Sequence, residues 1–135
     1  MNMDNLHHLN TLAHSVFECT YHIVFSTKYR KEILFGEVYD FIQQQTHVLC
    51  NQKDGIKVVE LKIETDHIHL VLEIPPKYSV SSIIGYLKGR LSSVVLKRFE
   101  SLRTIYWKGH LWSRGYCVKS IGLNKNLVRR YIRNH

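Results

Sequence analysis

The sequence has little of what would place a protein in a membrane. No stretch reaches the roughly 18 apolar residues of a membrane-spanning helix, and no segment is apolar on one face and basic on the other. Residues 1–14 are polar and rich in histidine and asparagine, without the apolar centre of a secretory signal. We therefore expect a flexible N-terminal tail over residues 1–14 and a cytoplasmic protein with no membrane partner.

Cysteines and phosphate-binding glycine patterns are also scarce. Cys19, Cys50 and Cys117 are odd in number and widely separated, which favours reduced, packed thiols over a disulfide framework or a zinc site. The chain has no glycine-rich P-loop, so we do not expect an activity that depends on a nucleoside triphosphate. It also lacks internal repeats and low-complexity linkers, and its length predicts a single domain over residues 15–135.

What the sequence has in excess is positive charge. It contains 19 Lys and Arg against 11 Asp and Glu, a formal net charge of +8, while its 44% of apolar residues suffices for a core. This balance favours a polyanionic partner, because each phosphate neutralised by a basic side chain releases condensed counterions. On charge alone, a solvated basic surface without a partner is the alternative.

Hydrophobic periodicity predicts four strands and three helices. The strands are expected at Val16–Phe25, Ile56–Glu64, His67–Ile74 and Gly115–Ile121, and the short Thr65-Asp66 connection predicts an antiparallel hairpin. A first helix over Gly36–Gln52 has an apolar stripe formed by Val38, Phe41, Ile42, Gln45 and Leu49. Ser79 can cap a second helix with helical spacing as far as Phe99, and a last helix is expected over residues 124–135.

This order of elements, βαββαβ plus a C-terminal helix, predicts an α+β fold of the ferredoxin-like (RRM-like) kind. Such a fold has an antiparallel sheet with two helices on one face and the other face free. The fold class alone decides nothing about function, because many unrelated activities share it. The chemistry must therefore come from particular residues on these elements.

The third predicted strand carries the first chemical signal. Alternation sends Ile68 and Leu70 to the core and projects His67 and His69 together on the opposite face, about 6–7 Å apart along the strand. Two imidazoles at that separation can share one metal ion; two solvent-exposed histidines are the alternative. His22 falls on the side of the first strand away from the apolar residues and is a further candidate ligand, with a structural imidazole as the alternative.

The last predicted helix carries the second signal. Tyr131 and His135 are four residues apart and therefore lie on one face, one turn apart. A tyrosine next to a metal ligand could bring a phenolate nucleophile to a metal-bound phosphate. The alternative is that Tyr131 packs among its apolar neighbours on the same helix.

Several ordered motifs together resemble a known family. The stretch Thr65–Val71 is similar to the HUH motif of the single-tyrosine transposases of the insertion-sequence 200/605 type, within the REP-associated-transposase-like superfamily. Further similar stretches occur at the same relative positions, namely Tyr21–Arg30, Tyr86–Ser93, Leu111–Tyr116 and Val128–Ile132. The resemblance extends from about Val16 to the end of the chain.

The resemblance implies a DNA transposase that cleaves and rejoins single-stranded DNA at insertion-sequence ends. Tyr131 would be the nucleophile and would form a 5′-phosphotyrosine, and His67, His69 and His135 would bind Mg²⁺ or Mn²⁺. The implied partners are DNA hairpins at the element ends and a second copy of the chain that completes the active site in trans, at a bacterial or archaeal nucleoid. The basic residues expected to bind DNA are Lys28, Arg30, Lys31, Lys88, Arg90, Arg114 and Lys119.

One position departs from the family pattern, and two other functions are alternatives. Relatives usually have a glutamine ligand one turn after the tyrosine, where this chain has His135, and an all-nitrogen site shifts preference from magnesium toward manganese or a later metal. The alternatives are another HUH nuclease (a replication initiator or a relaxase) and a non-catalytic RRM-like nucleic-acid-binding module. The short chain and the late position of Tyr131 argue against the first, and the absence of aromatics on the histidine face of the third strand argues against the second.

Overall fold

The computed structural model describes residues 19–121, which form an antiparallel four-stranded sheet covered by helices. The sheet order is β2-β3-β1-β4, with β1 Thr20–Ser26, β2 Lys57–Ile63, β3 His67–Glu73 and β4 Cys117–Ser120. The helices are α1 Gly36–Asn51, α2 Val80–Arg98 and the short α3 Glu100–Ile105, and a 3-10 turn covers Lys28–Arg30. The predicted α+β fold class is confirmed.

Strand β3 determines which residues face the core. It pairs with β1 on one side and β2 on the other, and its Ile68, Leu70 and Leu72 are fully buried. Burial of each such side chain contributes about 1.5–3 kcal/mol to the free energy of folding. A slip of one residue in the register would expose all of them and is therefore strongly disfavoured. The same alternation fixes His67 and His69 on the opposite surface of the sheet, which we call the histidine face.

Helix α2 begins at the predicted cap. The Oγ of Ser79 accepts a hydrogen bond from the amide of Ser82 at 3.1 Å, which satisfies one of the free N–H groups of the first turn. Leu87, Leu91 and Val95 then lie in the core at helical spacing, as expected. Helix α2 also packs against α1, so that both long helices share one core with the sheet.

The buried face of α1 differs from the predicted stripe. Ile42 and Leu49 are buried as expected, but the other buried positions are Thr46 and Cys50, while Val38 is only partly buried. Thr46 tolerates burial because its hydroxyl donates to the carbonyl of Ile42 at 2.7 Å within the helix. Burial raises the pKa of the Cys50 thiol to about 11, in keeping with a packed, unreactive cysteine.

The region between α2 and β4 is more ordered than the sequence pattern predicts. Helix α3 follows Phe99 directly. Trp112 is buried and meets the ring of Phe25 edge to face, with 4.8 Å between ring centroids. Trp112 also pairs with Thr27 through an isolated β-bridge, which places residues 109–114 beside the end of β1.

Two sets of predictions lie wholly outside the described residues. These are the N-terminal tail over residues 1–14 and the last helix over residues 124–135, with Tyr131 and His135. Within residues 19–121, no helix is long and apolar enough to cross a membrane.

Candidate metal centre

The two histidines of β3 lie side by side on one face of the strand, two residues apart. Their Nε2 atoms are 3.1 Å apart, and the planes of the His67 and His69 rings are inclined by 70°. Two nitrogens that bind one cation at about 2.1 Å, with an angle of roughly 90–110° between them, lie about 3.0–3.4 Å apart. The pair therefore has the separation expected of two ligands of one ion.

Asp66 fixes the orientation of the first imidazole. Its Oδ1 lies 2.6 Å from the Nδ1 of His67, and because a carboxylate only accepts, the Nδ1–H donates and the Nε2 atom is the nitrogen that lies toward His69. The Nε–H of Arg30 donates to the other carboxylate oxygen at 3.3 Å. The hydrogen bond from His67, followed by the contact with Arg30, lowers the pKa of Asp66 and keeps it ionised.

His22 occupies the corresponding place beside the second imidazole. Its Nε2 is 3.1 Å from the Nδ1 of His69, and the two rings are stacked with 5.3 Å between centroids. This contact is on the side of the His69 ring away from the nitrogen that faces His67. The structure therefore places His22 as a hydrogen-bond partner of His69, in the position that fixes the tautomer of a metal-binding histidine.

The charge state of His69 also suits a ligand. Burial, and then the neighbouring charges of His67 and His22, lower the pKa of His69. A lower pKa favours the neutral imidazole, which is the form that binds metal ions. Within residues 19–121, however, no group of three or more His, Cys, Asp or Glu side chains could hold an ion. The pair thus offers two donors, and an ion held there would take its further donors from outside this region, from water or from substrate.

Three of the predicted DNA-binding residues line one cleft. Lys28, Lys88 and Arg114 border an open cleft of about 610 Å³ between α2 and residues 109–114. Lys88 is committed to the protein, because its Nζ donates to the carbonyl oxygens of Ser113 at 2.9 Å and Gly115 at 2.8 Å. Burial lowers the pKa of Lys88. This lysine therefore holds the wall of the cleft in place.

The other predicted basic residues lie elsewhere. Arg30 contacts Asp66 next to the histidine pair, and Lys31 and Arg90 are exposed on the turn after β1 and on α2. Lys119 of β4 lies opposite His22 in the strand register, so its side chain is on the histidine face. The predicted residues are thus divided among the cleft, the histidine face, the turn after β1 and the exposed surface of α2.

Sequence reasoning missed two residues of the site. Lys62 lies opposite His69 in the register of β2 and β3, and it lines a small pocket of about 150 Å³ together with His22 and His69. Asp66 is in direct contact with His67. The position of Asp66 immediately before the histidine pair could have indicated its contact with His67. Lys62, in contrast, could be found only from the register of the hairpin.

Comparisons with known proteins identify the family. A family model described as IS200-like transposase matches residues 15–135. The chain is 40% identical over 124 residues to the transposase for insertion sequence element IS200 of Salmonella typhimurium, across 92% of this chain and 81% of that protein. It is 28% identical over 118 residues to the ISDra2 transposase TnpA of Deinococcus radiodurans, across 87% of this chain and 84% of that protein.

Solved structures agree with this assignment. A candidate transposase from Deinococcus radiodurans superimposes with a TM-score of 0.70 at 29% identity, covering 85% of this chain and 88% of that one. A REP-associated tyrosine transposase bound to a REP hairpin shares the fold, with a TM-score of 0.59 at 12% identity, covering 87% of this chain and 64% of that one. The fold and these relatives define a transposase, an enzyme that processes DNA. The chain belongs to the IS200-like transposase family, as the sequence motifs predicted.

Proposed function

We propose that this transposase cleaves and rejoins single-stranded DNA at insertion-sequence ends through a 5′-phosphotyrosine on Tyr131. His67, His69 and His135 are the proposed ligands of a divalent cation, Mg²⁺ or Mn²⁺. The observation that carries the proposal is the 3.1 Å separation of the His67 and His69 Nε2 atoms. The carboxylate of Asp66 is hydrogen-bonded to the Nδ1 of His67 on the other side of that ring. Membership of the IS200-like family supports the nature of the reaction.

The proposed reaction needs no external energy source, because one phosphoester bond replaces another. The phenolate oxygen of Tyr131 forms a bond to the scissile phosphorus, and the bond from phosphorus to the 3′ oxygen breaks. The 3′ oxygen leaves with the electron pair and takes up a proton, which gives a free 3′-OH. A bound cation supplies stabilisation of the phosphate charge and of the phenolate, whose pKa is about 10 in free tyrosine. A second 3′-OH can later attack the phosphorus of the phosphotyrosine. The bond from phosphorus to the Tyr131 oxygen then breaks, the phenol is restored with the proton of the attacking hydroxyl, and the strands are rejoined.

The described residues contribute orientation and charge to this chemistry. Asp66 accepts the Nδ1–H of His67, and the Nε2 of His22 contacts the Nδ1 of His69, so the Nε2 atom of each proposed ligand is on the side of its ring away from these partners. Arg30 joins the basic turn after β1 to Asp66. A phosphate that approaches the histidine pair therefore meets the cationic side chain of Arg30 at its edge.

The proposed substrate is single-stranded DNA that contains hairpins at the element ends. A fold relative is the REP-associated tyrosine transposase whose structure contains a REP hairpin, and we extend hairpin binding to this chain by analogy. A homodimer with the active site completed in trans is also part of the proposal. The basic cleft and the histidine face, each with predicted basic residues, are the surfaces available for DNA among residues 19–121.

A non-catalytic RNA-binding module of the same fold fits the structure less well. Such modules stack bases on aromatic side chains of the central strands. The histidine face of β3 presents His67, His69, Val71 and Glu73, without an aromatic residue among them. The family match likewise favours a transposase over a replication initiator or a relaxase.

The proposed reaction can be tested with single-stranded oligonucleotides from both flanks of the gene. Purified protein is incubated with each oligonucleotide and Mn²⁺, Mg²⁺ or EDTA, and the products are separated on a denaturing gel. We expect a slowly migrating protein–DNA adduct that requires metal and does not form with the duplex of the same sequence. Binding without an adduct, for every flank and both metals, would contradict the proposed catalysis and favour a binding-only protein.

We further predict that Asp66→Asn weakens metal binding. The substitution preserves the shape of the side chain but removes the charged acceptor of His67, and loss of such a partner typically lowers metal affinity by about 10- to 100-fold. Titration of the full chain with Mn²⁺ by calorimetry measures the affinity directly. Nitrogen NMR shifts of the imidazoles report the tautomer of His67 independently of activity.

The matched control for this prediction is Asp54→Asn. Asp54 is likewise paired with a basic side chain, Lys77, at 2.6 Å, but it lies in the turn before β2 and not at the histidine pair. The Asp54→Asn substitution should leave the Mn²⁺ affinity unchanged. Equal affinities for wild type and Asp66→Asn would show that Asp66 does not position the ligand.

A further inference from the structure

A second surface beside the 3-10 turn carries exposed aromatic rings that the proposed chemistry does not use. Tyr29 is 65% exposed and Trp107 is 76% exposed, while Tyr106, which lines the same groove, is buried. The rings of Tyr29 and Tyr106 are stacked with 6.2 Å between centroids and 12° between planes. We call Tyr29, Tyr106 and Trp107 the aromatic shelf.

The structure holds Tyr29 outward in a strained backbone conformation. Its φ is +68° and that of Arg30 is +52°, in the left-handed region that side chains other than glycine rarely adopt. Two hydrogen bonds to neighbouring residues fix the turn. The hydroxyl of Tyr106 donates to the carbonyl of Lys28 at 2.9 Å, and the amide of Lys28 donates to the carbonyl of Leu111 at 2.8 Å. Exposure of this ring is therefore imposed by the fold.

Positive charge surrounds the shelf. The Nζ atoms of Lys28 and Lys108 lie 5.4 Å from the centroid of Tyr29 and 5.2 Å from that of Trp107. Lys28 and His110 border both the groove at the shelf and the 610 Å³ cleft next to it, and no acidic side chain of the described residues lines either. A partner that offers flat rings and negative charge together fits this surface better than an apolar peptide does.

Single-stranded nucleic acid has this chemistry. Its phosphates can contact the lysines, and its unpaired bases can stack on exposed aromatic rings, whereas a duplex keeps its bases stacked internally. The shelf is also connected to the candidate metal centre through one turn. Arg30 contacts Asp66 beside His67, and the adjacent residue Tyr29 contacts Tyr106.

We propose that the aromatic shelf binds unpaired bases of single-stranded DNA that extends from the histidine pair across the turn Lys28–Arg30. Tyr29 and Trp107 provide the stacking surfaces, and Lys28 and Lys108 contact the flanking phosphates. The identity of the partner as DNA rests on the proposed function. The site itself rests on the two exposed rings, the backbone conformation of Tyr29 and the neighbouring lysines.

Tryptophan fluorescence provides a direct probe of this site. The chain has two tryptophans, and only Trp107 is exposed, because Trp112 is buried at 6% exposure. A short oligothymidylate, titrated in EDTA so that no cleavage occurs, should quench the emission of wild-type protein. The quenching should disappear in Trp107→Phe, whereas a duplex of the same length should quench far less. Equal quenching by the duplex, or none by the single strand, would overturn the proposal.

Affinity measurements by anisotropy with labelled oligothymidylate test the stacking itself. Tyr29→Ala and Trp107→Ala should each weaken binding by roughly 5- to 100-fold, while Tyr29→Phe, which keeps a ring, should bind like wild type. Phe35→Ala is the matched control, because Phe35 is also 65% exposed and lies outside the shelf. Thermal melting confirms that each variant is folded. Wild-type affinity in both alanine variants would refute the shelf.

These results are separable from the proposed catalysis. If the wild type forms metal-dependent adducts but the shelf variants bind DNA normally, the proposed role of the shelf is contradicted and the catalytic proposal is supported. If the shelf variants lose DNA binding but the wild type never forms an adduct, the role of the shelf is supported and the catalytic proposal is contradicted. Binding in EDTA and adduct formation with metal are independent measurements on the same full-length chain.

Discussion

Replacing Tyr131 with phenylalanine is expected to abolish the covalent protein–DNA adduct while single-stranded DNA still binds. The substitution removes only the phenolic oxygen, which is the proposed nucleophile, and leaves the aromatic ring. Adduct formation is measured on a denaturing gel with Mn²⁺, and binding is measured in EDTA. The expected change is complete loss of the adduct, because no other group is proposed to form the bond to phosphorus.

The matched control for this substitution is Tyr116→Phe. Tyr116 is an exposed tyrosine just before β4, near Lys88. This variant should form the adduct at the wild-type level. If the adduct persists in Tyr131→Phe and disappears in Tyr116→Phe, our account assigns the nucleophile to the wrong residue.

Replacing either histidine of the pair with alanine should have the second large effect. In His67→Ala or His69→Ala, one of the two described nitrogen donors is lost, so we expect Mn²⁺ affinity to fall by more than the roughly 10- to 100-fold typical of an outer-shell change. Metal-dependent adduct formation should fall with it. Calorimetric titration with Mn²⁺ measures the first effect, and the denaturing gel measures the second.

His47→Ala is a suitable control, because His47 is exposed on α1 and not on the histidine face. It should bind Mn²⁺ like wild type. Binding of single-stranded DNA in EDTA should persist in all three variants if they are folded. Unchanged Mn²⁺ affinity in both His67→Ala and His69→Ala would rule out the pair as the metal centre.

The sequence predicted the central strand well because one simple periodicity controls it. In β3, every second residue is buried, and the same alternation that buries Ile68 and Leu70 puts both histidines on the other face. The cap at Ser79 is equally local, since it depends on residues within one turn. These features follow from the pleat of a strand and the free N–H groups of a helix start.

Contacts between distant segments could not be predicted in the same way. The pairing of Arg30 with Asp66 and the stacking of Tyr29 on Tyr106 depend on how the turn after β1 lies against other loops. On α1, the burial of Thr46 runs against its polarity and is possible because its hydroxyl bonds within the helix. The role of Trp112 in joining the segment before β4 to β1 likewise requires the assembled sheet.

The most direct test of the central claim is to identify the amino acid attached to DNA. The adduct formed with single-stranded DNA and Mn²⁺ is trimmed with nuclease, digested to peptides and sequenced by tandem mass spectrometry. Our account predicts a nucleotide joined through its 5′ phosphate to the side chain of Tyr131. Attachment to any other residue, or through a 3′ phosphate, would contradict it.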